Sequence, residues 1–223
     1  MLPLMQITLL SAWLLLGASL SSIPVAPSAA LLDNDQVKVV RALEKHGVPG
    51  KFHQHSMNRV MIYLQAGRQR FTYQDGRAPK TFDWRAGQVV WSPPGGMHSP
   101  LTLDRDFDIV EMELKNKGSK QPITGERDPL KVDPAHYKLE FENAQVRVLR
   151  ITMPPHANSP MHSFATNHVL VLLTAQKFRV QDITGKAELK EHQAGEVLWE
   201  LPAQHAVKNE SSEPFEALTV EIK

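Results

Sequence analysis

The sequence predicts an all-β protein made of two tandem barrels, and two observations predict it. The first is that the chain repeats itself. Asn34-Asp35-Gln36-Val37-Lys38-Val39-Val40-Arg41 returns as Asn143-Ala144-Gln145-Val146-Arg147-Val148-Leu149-Arg150, an offset of 109 from Gln36 to Gln145. The offset holds at His53/His162, Arg70/Arg179 and Gly76/Gly185. It slips by one residue at Ala86-Gly87/Ala194-Gly195 and stays there through Trp91/Trp199, Phe107-Asp108/Phe215-Glu216 and Glu113-Leu114-Lys115/Glu221-Ile222-Lys223. Such a period exceeds the ~20–50 residues of solenoid repeats and has the size of a small domain. The second observation is that few stretches after residue 31 sustain a helical period. Short apolar or alternating runs recur instead, split by turn residues.

The elements follow in order. Residues 1–30 read as a signal peptide: Ile7 to Leu16 is apolar apart from Ser11, small residues follow, and no charged side chain precedes Asp33. Cleavage is expected near Ala30, and the n-region departs from the usual pattern in lacking Lys or Arg. The apolar run is short for a ~20-residue membrane span. In the first copy, residues 31–115, strand-like runs are Gln36–Leu43, Arg59–Gln65, Arg70–Tyr73 and Gln88–Trp91. Gln74-Asp75-Gly76-Arg77 is a hairpin signal. In Val110–Lys115, Val110, Met112 and Leu114 alternate with Glu111, Glu113 and Lys115, the pattern of a half-buried strand. Leu218, Val220 and Ile222 repeat it against Thr219, Glu221 and Lys223. Residues 116–133, polar and turn-rich at their start, read as a linker, and 134–223 form the second copy. The spacing of strands and turns suits a barrel or sandwich in each copy.

Composition excludes some classes. A hydrophobic fraction of 42% supports ordinary cores. The net charge of +1 comes from interspersed acids and bases, so no basic stripe points to nucleic acid or to an anionic membrane surface. The absence of Cys fits export into an oxidising compartment, where stray thiols are a liability. The mature chain is therefore expected to be secreted or periplasmic, without a membrane partner. There is no Ser-His-Asp spacing, phosphate loop or Rossmann fingerprint.

The chemistry lies in histidines. Gly47 is followed after five residues by His53-Gln54-His55, and residues at i and i+2 of a strand share a face. Gly87 is followed after five residues by Pro93-Pro94-Gly95-Gly96-Met97-His98, a tight turn that delivers a third imidazole. These motifs resemble those of the cupin family, Gly, five residues, His-x-His, then Glu and Gly, and later Gly, five residues, Pro-x-Gly, two residues, His. The first copy matches at Gly47, His53, His55 and Gly67, and at Gly87, Pro93, Gly95 and His98. With the repeat, the resemblance covers nearly all of the mature chain, which is similar to a bicupin. It implies two cupin-type jelly-roll β-barrels, a divalent transition metal (Fe, Ni, Zn or Cu) and a small-molecule ligand. It also implies pairing through an edge strand, so that a homodimer is open.

The sequence departs from the family at the metal-binding Glu, which should fall at Arg59 or Val60. Strand parity points Val60, Ile62 and Leu64 inward and Arg59 outward, because an unpaired internal Arg costs several kcal/mol and repels a cation. The expected ligand set is then His53, His55 and His98, a three-imidazole site with room for water or ligand. Cupins that oxidise thiols are known with three histidines. The competing reading is a relic, with hydrogen-bonded histidines in an empty barrel. The second copy departs further. His162 is kept, Phe164 replaces the second His, and Gly195 to His205 lacks the Pro-x-Gly. His168 sits opposite Arg59 and could complete a set with His162 and His205, but parity gives Val169 the inward slot, so an apolar or structural barrel is expected.

Other residues take plainer roles. Trp91 and Trp199 are expected in barrel-wall packing, Arg70 and Arg179 exposed on strands, His46 and His156 in solvated turns, and Met161 in packing. No general base is identifiable. The leading expectation is an exported bicupin with one metal in its N-terminal barrel, binding or acting on a small organic ligand, with dioxygenase-like or isomerase-like chemistry if catalytic. Its rivals are a non-catalytic ligand-binding or structural bicupin without metal, and diffuse metal handling by the ten histidines.

Overall fold

The computed structural model describes residues 30–223. The expected signal peptide lies outside them except for Ala30. Among the described residues no helix is long and apolar enough to cross a membrane. In chain order the first half runs β1 (Ala30–Asp33), β2 (Val37–Glu44), β3 (His53–His55), β4 (Arg59–Tyr63), β5 (Gly67–Tyr73), β6 (Lys80–Trp84), β7 (Gln88–Ser92), β8 (Gly95–Thr102) and β9 (Phe107–Leu114). A short helix α1 (Pro129–Val132) precedes the second half. That half comprises β10 (Tyr137–Glu142), β11 (Val146–Met153), β12 (His162–Phe164), β13 (His168–Leu172), β14 (Gln176–Asp182), β15 (Ala187–His192), β16 (Val197–Glu200), β17 (Ala203–Asn209) and β18 (Phe215–Ile222).

The protein is all-β in two jelly-roll units. The first pairs a five-stranded sheet, β1-β2-β9-β4-β7, with a four-stranded one, β3-β8-β5-β6. The second has the corresponding orders β10-β11-β18-β13-β16 and β12-β17-β14-β15. Every strand pairing is antiparallel. The Gln74–Arg77 segment turns β5 into β6 with Gly76 at φ 80°. Within residues 116–133, the Asp128 side chain caps α1 by accepting from Leu130 N at 2.9 Å. Pro129 follows it at the first helical position, where its missing N–H costs nothing.

The largest core lies between the units. Val37, Val39, Val60, Ile62, Val110, Met112 and Leu114 pack against Val146, Val148, Val169, Val171, Leu218, Val220 and Ile222. The two five-stranded sheets therefore bury their apolar faces on each other. Polar contacts at this seam are reciprocal. Asn58 Nδ2 donates to Gln145 Oε1 at 2.5 Å, and Asn167 Nδ2 donates to Gln36 Oε1 at 2.8 Å. Arg41 Nη1 reaches Gly195 O at 3.5 Å, and Arg150 Nη2 donates to Gly87 O at 2.7 Å. Contacts exchanged in this way define an isologous interface, here within one chain. Gly87 and Gly195 both adopt positive φ, 71° and 82°. A Cβ on Gly87 would come within 2.9 Å of Leu173 Cδ1, and one on Gly195 within 2.8 Å of Arg41 Nη2. Each position needs glycine for its turn and for the close approach of the other unit.

This seam corrects the parity expectation. Val60 and Ile62 face the other unit, as does Val169. Arg59, Met61 and Tyr63 face the interior of the first barrel, and His168 faces that of the second. The alternation in the sequence was real, but its apolar side marks the inter-unit face. A sheet buried on both sides carries its polar residues toward a cavity rather than toward water.

Candidate functional site

β3 and β8 bring the three predicted histidines together. His53 pairs with His98 across the ladder, His55 pairs with Gly95, and a register shift separates the two pairs. The Pro93-Pro94 step carries the chain from β7 in one sheet to β8 in the other. The ring centroids of His53, His55 and His98 lie 4.6–5.5 Å apart. One nitrogen from each falls within 4.8 Å of the others. The outer nitrogens are accounted for. His53 Nδ1 lies 2.8 Å from Lys51 O, and His98 Nδ1 lies 3.0 Å from Gly96 O. A carbonyl only accepts, so both Nδ1 atoms carry the proton and both Nε2 atoms keep a lone pair. His55 Nδ1 faces Glu113 Oε1 at 3.8 Å. Histidines that ligate metals are oriented in this way, by a carbonyl or carboxylate on the other ring nitrogen. Burial, then Arg59, His53 and His98, holds the His55 pKa down at about 3. Burial likewise lowers that of His98. Both rings are neutral at neutral pH, as ligation requires.

Arg59 is the departure from a simple metal cup. It is buried, and its guanidinium points into the cavity. Nη1 donates to Glu111 Oε2 at 2.6 Å and lies 2.8 Å from His55 Nε2, while Nη2 donates to Ser92 Oγ at 3.0 Å. The cost foreseen for an unpaired internal Arg is met by Glu111, which cancels the charge. Arg59 thus occupies the lone pair that His55 would offer an ion.

The cavity itself is about 310 Å³, at the low end of the ~300–1,000 Å³ typical of small-molecule sites. One wall is aromatic. Phe82 stacks on Trp84 at 5.2 Å and 11°, and Trp84 stacks on Tyr63 at 4.2 Å and 15°. Phe82 is 36% exposed and Tyr63 only 2%, so the stack runs from the mouth inward. At its inner end lies a carboxyl that sequence reading missed. Glu44, at the last position of β2, lines the cavity and accepts from Gln69 Nε2 at 2.7 Å. Gln69 is buried, and its Oε1 accepts from Trp84 Nε1 at 2.9 Å and from Tyr63 Oη at 3.1 Å. Indole N–H can only donate, so the amide has one workable orientation. Burial, with Glu111 adding to it and Gln69 opposing, raises the Glu44 pKa to about 7. The only available signal was its place on an alternating strand next to Ala42, which faces the same side.

The second barrel is built otherwise. His162 is fully buried, with Nδ1 on Pro160 O and Nε2 on Tyr137 Oη, each at 2.9 Å. Both of its nitrogens are occupied. The Phe164 ring lies 4.5 Å from His168 and 6.0 Å from His205, between the imidazoles. The cavity there is about 100 Å³. Burial, then His162 and His168, lowers the His205 pKa to about 3. Trp91 and Trp199 pack against the inter-unit core. Arg70, Arg179, His46 and His156 are exposed, as expected.

No protein-family model and no curated protein sequence matches the chain. Solved structures do. AerE from Microcystis aeruginosa is similar over 88% of this chain and 97% of its own, at 12% identity and a TM-score of 0.58. Oxalate decarboxylase from Bacillus subtilis is similar over 84% of this chain and 68% of its own, at 15% identity and a TM-score of 0.58. A cupin domain from Bordetella pertussis Tohama I aligns with 39% of this chain at 22% identity, with a TM-score of 0.37. At these identities the likeness is one of fold. The chain has the tandem cupin fold, two jelly-roll barrels in one polypeptide. Mn(II) centres are described for the Bacillus subtilis oxalate decarboxylase.

Proposed function

We propose that this is an exported tandem-cupin protein whose N-terminal barrel holds one divalent transition metal between His53, His55 and His98 and presents it to a small organic ligand. The observation that carries the reading is the convergence of three imidazoles whose outer nitrogens face acceptors. A tetrahedral ion with bonds of ~2.0–2.1 Å needs the ligand atoms closer than they stand, so binding would draw the three rings together and release His55 Nε2 from Arg59. The donor set is imidazole without a carboxylate, which favours Zn, Ni, Cu or Fe over the Mn of the oxalate decarboxylase. When bound, the ion would act as a Lewis acid or an oxygen-binding centre. The chain's own residues do the rest: Arg59 and Glu111 set a neutral floor, and the Phe82–Trp84–Tyr63 stack seats the ligand.

The test is elemental analysis of the mature protein purified without a His-tag. About one metal per chain is expected, absent from His53→Ala and from His98→Ala. Diffuse histidine binding would survive either change. No metal after reconstitution, with both variants folded, refutes the site. A metal-free ligand-binding barrel is the second reading, and the Arg59 contact on His55 Nε2 favours it. The two separate in Arg59→Met. If guanidinium and metal compete for one lone pair, removing a charged hydrogen bond of ~1.5–3 kcal/mol tightens Zn²⁺ binding by roughly 10- to 100-fold, measured against a chromophoric chelator. Unchanged or weaker binding in this variant means that Arg59 does not guard the site.

A further inference from the structure

We infer that Glu44 is the proton acceptor of the N-terminal cavity, and that its partner is a small planar molecule with an acidic O–H, of the phenol class, packed against the Phe82–Trp84–Tyr63 column. The inference rests on the cavity being a ligand site, and it does not require the metal. Four observations carry it. The carboxyl is inside the cavity rather than on the surface. Its orientation is over-determined: Trp84 and Tyr63 fix Gln69, and Gln69 donates to one oxygen of Glu44. Among the described residues no side-chain donor reaches the other oxygen, Oε1, which is left for a ligand. Finally, the indole and phenol that orient Gln69 belong to the aromatic column, so a ring packed against its edge is held beside the carboxyl.

Glu111 on β9 and Tyr63 on β4 face Glu44, and Arg59, also on β4, lines the same cavity and acts on Tyr63. Glu111 opposes a second negative charge, and Arg59 is already paired with Glu111. Tyr63 is held protonated by burial and by both carboxylates, so it remains a donor to Gln69. In the step, the ligand O–H bond breaks and a new O–H bond forms on Glu44. The electron pair stays on the ligand oxygen, leaving a phenolate and a neutral carboxylic acid, with no oxidant or reductant needed. The group is balanced for either direction near pH 7.

The experiment uses 4-nitrophenol, whose phenolate absorbs visible light, with carbon-13 NMR of Glu-labelled protein, on metal-loaded and chelator-treated samples. One Glu carboxyl titrating near neutral pH and missing from Glu44→Gln is expected. Bound probe should show more phenolate at pH 7, where part of Glu44 is ionised and can take the proton, than the same amount free in buffer. Glu44→Gln should bind the probe but lose that excess, and Phe82→Ala should bind at least tenfold more weakly. The same result without metal supports the inference and separates it from the metal reading. An equal phenolate excess in Glu44→Gln, or no carboxyl titrating near neutrality, overturns Glu44 as acceptor. No probe binding by the wild-type protein overturns the ligand class, whatever the metal content.

Discussion

Arg147→Ala is expected to destabilise the protein by about 3–5 kcal/mol, the cost of leaving a buried charge without its partner. Arg147 on β11 is 3% exposed, and Glu221 on β18 is 0%. The guanidinium bridges two acids. Nε donates to Glu221 Oε2 and Nη1 to Asp128 Oδ2, both at 2.5 Å. Nη1 also reaches Ile123 O at 3.2 Å, so one side chain ties the barrel to the segment that precedes it. Truncation strands Glu221 in the interior and frees Asp128, which caps α1. Urea unfolding followed by tryptophan fluorescence measures the loss. The companion variant Arg147→Met/Glu221→Met/Asp128→Asn removes both buried charges around the arginine and keeps a capping side chain. It should recover most of the stability, because the cost belongs to the broken pair rather than to the lost one. A loss below about 1 kcal/mol in Arg147→Ala would mean that the pair is solvated, which is the usual condition of weak ion pairs.

Much of this architecture was legible in the sequence, and what was not has a definite cause. The strands Val37–Glu44, Arg59–Tyr63 and Gln88–Ser92 fall within a residue or two of the strand-like runs read in the sequence. His53, His55 and His98 were legible because their motif depends on local geometry: an i, i+2 pair on one strand and a Pro-Gly turn at a fixed spacing. The facing of β4 and β13 was not legible. A period of two says that two faces differ, and says nothing about which face meets a cavity. The usual assumption gives the apolar face to the barrel interior. Here a second five-stranded sheet takes it, and the interior inherits Arg59, Glu111 and Glu44. His168 moves inward for the same reason. Glu44 was invisible to motif reading because its character comes from Gln69 and Glu111, 25 and 67 residues along the chain. Gln69 itself reads as an ordinary polar strand residue until Tyr63 and Trp84 are seen to fix it. The reciprocal seam contacts explain why the repeat is strongest at Gln36/Gln145 and Arg41/Arg150. These side chains must complement one another across an interface that the two units share.

Glu44→Gln is expected to stabilise the protein at pH 8 and to leave it unchanged at pH 4. The sign follows from the raised pKa. In the unfolded chain Glu44 ionises near its model value of 4.5, whereas in the folded protein it keeps its proton to about 7. Between those values the folded state binds more protons, so stability falls as pH rises through the window and levels off above it. Glutamine does not titrate and can still accept from Gln69 Nε2 through its amide oxygen, so the variant escapes the loss. At 1.36 kcal/mol for each pKa unit, the gain at pH 8 is at most about 3 kcal/mol, and solvent reaching the half-buried side chain lowers it. Urea unfolding at several pH values would trace a difference that grows between pH 4.5 and 7. Glu111→Gln offers the matching control: it removes the second carboxylate and strands Arg59, so it should destabilise at pH 8 where Glu44→Gln stabilises. A flat profile for Glu44→Gln would mean that the carboxyl is ionised at neutral pH like any surface glutamate. A protein that tolerates an ionised carboxylate there at no cost would have no reason to fix its orientation with Tyr63, Trp84 and a buried amide. The stabilising effect and the ability to accept a ligand proton share one origin, a carboxyl kept from water but left with a free oxygen.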